Sequence, residues 1–139
     1  MKNIFILVIF AAFITGCSSK EESKLMEILI TKYTKEPDIT DLKFKPTEMA
    51  DCMMEKISDE IPGIPGDPRR DPYFTAYIGL SIVPTSKEQI LKNFKQAEEA
   101  LGSKQAVHEA RASFGSFAMH CIETLGMEVA KEQDEKEGM

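Results

Sequence analysis

Ile4 to Ile14 (IFILVIFAAFI) is an uncharged apolar run of eleven residues, preceded by the single basic residue Lys2. A helix needs roughly 20 apolar residues to cross a bilayer, so this run is too short to remain as a span. A basic start, a short apolar stretch and a small residue such as Gly16 after it are the marks of a secretory signal. Three consequences follow. The fold must be built from what comes after. It forms in an exported, oxidising compartment. Apart from this run the chain is charged every few residues from Glu21 onward, with no second candidate span.

The residues around the expected cleavage point are Ile14-Thr15-Gly16-Cys17. They resemble the lipobox of bacterial lipoproteins over residues 1–17. The resemblance implies cleavage before Cys17 and acylation of Cys17. Several acyl chains on one cysteine hold a protein firmly to a membrane, since each buried CH₂ contributes about 0.8 kcal/mol. In lipoproteins of this type an Asp after the acylated Cys favours the inner membrane. Ser18 stands there, so the resemblance implies the outer membrane, facing the periplasm.

Without residues 1–16 the chain keeps 16 basic and 23 acidic residues, a net charge near −7. A nucleic-acid footprint would be basic, so that class of partner is excluded. The 123 residues left suit one domain with one core. Glu128 to Met139 (EVAKEQDEKEGM) is poor in apolar residues and reads as a solvated tail. The expected division is signal 1–16, domain 17–126, and acidic disordered tail 127–139.

After Cys17 the cysteines are Cys52 and Cys121. Two cysteines in a small exported domain are expected to pair. The closed loop is about 70 residues, for which the chain-entropy model gives roughly 4 kcal/mol.

The apolar residues recur at helical spacing. Ser19 and Glu22 form a capping box ahead of Leu25, Met26, Leu29, Ile30 and Tyr33, which predicts a helix over 20–35. Residues 36–46 show no period and are read as a connection. A second helix is expected from Pro46 or Thr47, with Met49, Cys52, Met53, Lys56, Ile57 and Ile61 on one face. Ile61 to Pro72 (IPGIPGDPRRDP) is a loop stiffened by four prolines. Residues 73–83 alternate like a strand but have no partner strand, so helix is preferred. Thr85 and Glu88 predict the start of a helix that carries Ile90, Leu91, Phe94 and Ala97 on its apolar face and stops at Gly102. A last helix runs from Ser103 through Val107, Ala110, Phe114, Phe117, Cys121 and Leu125, with Gly126 closing it. The expected fold is all-α, a small single-domain bundle of four to five helices with one disulfide.

Four chemistries compete. Met49, Cys52 and Met53, together with His120 and Cys121, form a soft donor set of the kind that suits Cu(I), which makes a periplasmic copper-handling lipoprotein the main alternative. A disulfide would remove its thiolates. Cys–His catalysis fails on spacing: His120 and Cys121 point about 100° apart on a helix, and His108 lies near 20 Å from Cys121. Acid pairs such as Glu98-Glu99 read as solvated faces. What remains is binding through a groove that accepts an amphipathic helix.

The expected protein is therefore not an enzyme and needs no cofactor. Its partners are lipid, through Cys17, and an envelope protein. Size, anchor, helix content and cysteine count are similar to the pilotins of bacterial secretion systems, which implies an assembly accessory role. Partner-binding candidates are Arg69, Arg70, Tyr73 and Phe74, expected to be exposed around the proline-rich loop. An inhibitor or immunity-type lipoprotein, inserting the 61–72 loop into a target enzyme, is the third class.

Overall fold

The computed structural model describes residues 18–138; the expected signal, 1–16, and the expected acylation site, Cys17, lie outside the described residues. Among the described residues every regular element is helical. Ser19 caps α1 (Lys20–Lys35), its Oγ accepting from the Glu22 N–H at 3.1 Å. Leu25, Leu29 and Tyr33 form the fully buried stripe of α1, one residue per turn as the spacing requires. The Tyr33 hydroxyl is buried without a partner among the described residues, and burial pushes its pKa well above the usual tyrosine range, with Glu36 adding to the rise.

Pro37 both ends α1 and begins α2 (Pro37–Asp41). It keeps Glu36 extended while its own fixed φ suits a first helical position. The stretch expected to be a plain connection therefore contains a one-turn helix that buries Ile39. Lys43 then takes φ 62°, and the Phe44 N–H donates to the Ile39 carbonyl at 3.2 Å, turning Phe44 inward.

α3 (Pro46–Glu60) buries Met49, Ala50, Met53, Met54 and Ile57. A 3₁₀ turn at Pro68–Arg70 leads from the proline-rich loop into α4 (Asp71–Ser81). α4 buries Phe74, Ala76, Tyr77, Ile78 and Ser81, which is most of its circumference. A helix apolar all round is a buried helix, and that is why its sequence shows no clean helical period. The strand-like alternation there came from burial, and helix is correct.

α5 (Lys87–Leu101) is capped one residue later than the sequence indicated. Ser86 Oγ accepts from the Gln89 N–H at 3.1 Å, while Thr85 donates through its N–H and Oγ to Gln89 Oε1 at 2.8 and 3.0 Å. The reciprocal box exists, but with Gln89 as the side chain that reaches back. Gly102, at φ 86°, ends α5 as expected. Ser103 caps α6 (Lys104–Glu137) through the Ala106 N–H at 3.1 Å.

Gly126 does not close α6, which continues as helix to Glu137. Residues 127–137 are thus an exposed helical extension and not a disordered tail. A glycine inside a helix costs only about 1 kcal/mol. The flanking Glu, Lys, Ala and Gln residues are good helix formers, and Val129 still touches the core. Among the described residues the bundle has six α-helices, one more than the upper end of the four to five expected, because of α2.

The helix directions decide what lies at each end. α1 packs between α3 and α4, and α5 packs on the far side of α4. The short connection through α2 makes α1 and α3 antiparallel neighbours. α4 runs with α1, because Ser81, Ile82 and Val83 share a groove with residues Glu27 to Glu36 of α1. Asn93 Nδ2 donates to the Gly79 carbonyl at 3.3 Å, and Ala97 packs with Ala76, so α5 returns antiparallel to α4. α6 runs antiparallel along α3: Ser113 Oγ donates to Glu60 at 2.9 Å, Cys121 meets Cys52, and Gly126 lies beside Phe44. One end of the bundle, the proximal end, therefore gathers the start of α1 and the proline-rich loop. The distal end gathers the end of α1, the α2–α3 connection, the α4–α5 connection and the last turns of α6.

Cys52 and Cys121 form the expected disulfide, with Cα atoms 5.8 Å apart across a sequence separation of 69. Cys121 is fully buried. The bond ties the long helix to α3 in mid-bundle.

Candidate functional site

The four residues in and just after the proline-rich loop that were expected to meet a partner divide into two pairs. Arg69 is exposed and its guanidinium forks onto Asp67, with contacts from 2.6 to 3.1 Å. That hydrogen bonding holds the Asp67 carboxyl down to about 2. Tyr73 is half-buried and lines a surface hollow of about 280 Å³ with Pro62, Gly63, Asp67 and Arg69. Arg70 and Phe74 are not available. Arg70 is 2% exposed, and its Nη2 donates to the Ser58 carbonyl at 2.6 Å and to Ser58 Oγ at 2.7 Å. Its guanidinium lies over the Phe74 ring, 5.5 Å from the centroid, and Phe74 is itself core. The expectation that both arginines are exposed is therefore corrected. A long side chain that follows a proline turn back over the end of α3 finds a free carbonyl there, because the last carbonyls of a helix lack partners.

The soft donor set does not form a site. Cys52 and Cys121 are bonded to each other, Met49 and Met53 are fully buried core, and His120 faces solvent on α6. The sulfurs that a metal would need are consumed in the disulfide and in packing. The same bond leaves neither cysteine as a nucleophile.

Exposed apolar side chains mark a different place. Leu42, Val83, Ile90, Leu91 and Met127 are all exposed, and all belong to the distal end. Ile90 and Leu91 were expected inside; α5 buries only Ala97 fully and meets the bundle along a strip of Phe94, Ala97, Ala100 and Leu101, packed with Ala76, Leu80 and Val107. Two grooves open at this end. One, of about 560 Å³, runs between α1 and the end of α4 and is floored by Ile28, Ile82 and Val83. Its rim mixes both signs: Glu27, Lys35, and Lys32 paired to Glu36 at 2.6 Å.

The other groove, of about 540 Å³, lies between the α2–α3 connection and α6. Leu42, Phe44, Ile122, Gly126, Met127 and Ala130 line it, with Glu123 as its one charged member. Gly126 keeps its floor open over Phe44: a Cβ there would lie 3.8 Å from Phe44 Cζ. Beyond it α6 carries Glu128, Glu132, Asp134, Glu135 and Glu137 against Lys131 and Lys136. The Lys45 ammonium is held above the usual lysine range, first by its hydrogen bond to Glu48 at 2.8 Å and in smaller part by Glu132. The acidic turns of α6 thus pass near the α2–α3 connection. The sequence offered a weak sign of this groove. Leu42 falls outside every helical stripe, and Met127 follows the glycine taken as a helix end.

No family model matches the chain, and neither does any curated protein or solved structure.

Proposed function

We propose that this chain is an outer-membrane lipoprotein, acylated at Cys17 and facing the periplasm. Its domain acts as a binding and assembly accessory factor, not an enzyme, and takes a basic amphipathic helix of an envelope protein. The observation that carries the reading is the groove of Leu42, Phe44, Ile122, Gly126 and Met127 at the foot of the acidic α6 extension. A helix binds such a groove through apolar side chains at spacings of three and four. Methionine adapts its shape to what it meets. The acidic turns beyond would steer and orient a segment of opposite charge, an effect that acts mainly on specificity and rate of encounter. The chain as a whole carries a net charge of −6, of the same sign. Position adds support: the groove lies at the end of the bundle away from residue 18, where an anchored domain would reach into the periplasm.

The copper alternative loses its thiolate donors to the disulfide. The inhibitor alternative loses one of the charged side chains of its 61–72 loop, Arg70, to the core.

A photo-crosslinking residue placed at Met127 in cells tests the groove. It should give one discrete adduct that fades when Glu128→Lys and Glu132→Lys are combined. The same residue at Met119, which is exposed on α6 but does not line the groove, should give none. Equal adducts at both positions, or an adduct at Met127 indifferent to charge reversal, would contradict the reading.

A further inference from the structure

We propose that the tip of the proline-rich loop, with Ile64 at its apex, is a second membrane contact that seats the domain on the lipid surface. The inference rests on the proposed acylation of Cys17 and deepens it, since an acyl anchor alone leaves the orientation of a domain open.

Ile64 is 75% exposed, and it is flanked by the exposed Pro62 and Pro65. Among the described residues no other exposed large apolar residue belongs to the proximal end; the rest lie at the distal end, with Met119 on α6. This is also the end at which the described chain begins. Ser18 adjoins Cys17, and Ser19 already caps α1, so almost no tether separates anchor from bundle. Lipid attached at Cys17 would place a bilayer against this end and no other.

The loop is built to hold its shape. Gly63 and Gly66 take positive φ of 96° and 86°, a region open to glycine and costly for other residues. Asp67 caps the 3₁₀ turn through the Arg69 N–H at 2.9 Å. The Arg70 stem fills the space beneath, so that a Cβ on Gly63 would lie 3.5 Å from Arg70 Cγ. A preformed tip loses little freedom on contact. Inserting one isoleucine side chain among lipid acyl chains would favour the seated orientation by roughly 10–100-fold, and only because the anchor already holds the two surfaces together.

Charge gives this contact little net help. At the same end Glu21, Glu22, Asp59 and Glu60 are set against Lys20 and Lys104, and the Arg69 guanidinium is engaged by Asp67. The contact is therefore apolar. It should form on zwitterionic lipid as on mixed anionic lipid, and it should survive high salt.

The chain contains no tryptophan, so a single introduced one reports its own surroundings. Full-length acylated protein extracted from membranes would be reconstituted into vesicles of phosphatidylethanolamine and phosphatidylglycerol, with and without brominated acyl chains. Ile64→Trp should emit at shorter wavelength and be quenched by the brominated lipid. Leu91→Trp, exposed at the distal end, should remain unquenched. Ile64→Trp that stays with the vesicles yet is quenched no more than Leu91→Trp would overturn the loop contact and leave the anchor standing. Protein that does not sediment with the vesicles at all would overturn the anchor, and the loop contact with it.

Discussion

Replacing Cys121 with alanine lowers the stability of the domain by about 4 kcal/mol, the value expected when a closed loop of this length is opened in the unfolded chain. The bond links residues 69 apart, so it removes a large share of unfolded-state freedom. Cys121 is also fully buried between α6 and α3, and the truncation adds a small packing loss. For a domain of this size the midpoint of thermal unfolding should fall by roughly 15 °C. Reduced wild-type protein should show nearly the same drop. Thermal melts followed by circular dichroism, with and without reductant, measure both. A variant that melts with oxidised wild type would mean that the bridge is dispensable.

Arg70 gives the second large effect, and its three substitutions should differ. Arg70→Glu should leave the domain unfolded at 37 °C, because it puts an isolated carboxylate where a guanidinium is 2% exposed. Asp71 Oδ1, buried nearby without a partner, makes the place worse for a second acid. Arg70→Ala should cost about 3 kcal/mol: Ser58 loses two hydrogen bonds, its carbonyl stays unpartnered, and the Phe74 ring loses its cover. Arg70→Met should cost about 2 kcal/mol: it loses the same two bonds to Ser58, but it keeps the stem over Phe74 and removes Nε and Nη1, which have no partner among the described residues. Urea unfolding of the three variants checks the order. Arg70→Glu as stable as wild type would mean that the side chain is outside.

That prediction reverses what the sequence implied for this residue, and the reason is instructive. Arg69 and Arg70 are adjacent, and in sequence they are equivalent. The 3₁₀ turn at Pro68–Arg70 sends one into solvent and the other beneath the loop. The turn geometry comes from Gly63, Gly66 and Pro68 acting together, and no periodic pattern encodes it. Helices were legible where burial is one-sided: Leu25, Leu29 and Tyr33 on α1, or Met49, Met53 and Ile57 on α3. α4 was ambiguous because it is buried nearly all round. α5 showed the opposite failure: Ile90 and Leu91 sit on its apolar stripe, yet the stripe extends past the strip that touches α4.

The disulfide was legible from the cysteine count together with the oxidising compartment that the sequence led us to expect. The distal grooves were not, because they depend on how α6 lies along α3 and past Phe44. A glycine at a helix end and a glycine in a helix middle look alike along the chain. Gly126 is the second kind: Phe44 lies against it, and Val129, one turn further on, still packs on the core.

The proposed acylation of Cys17 underlies both the proposed seating of the proximal end and the proposed outward role of the distal groove. Metabolic labelling with a radioactive fatty acid, comparing the wild-type chain with Cys17→Ala, measures it directly. Label should appear on the wild-type protein, which should fractionate with the outer membrane, and be absent from the variant, which should be soluble or retained as precursor. Equal labelling of the two, or an unlabelled wild-type protein, would contradict a lipid anchor at this residue.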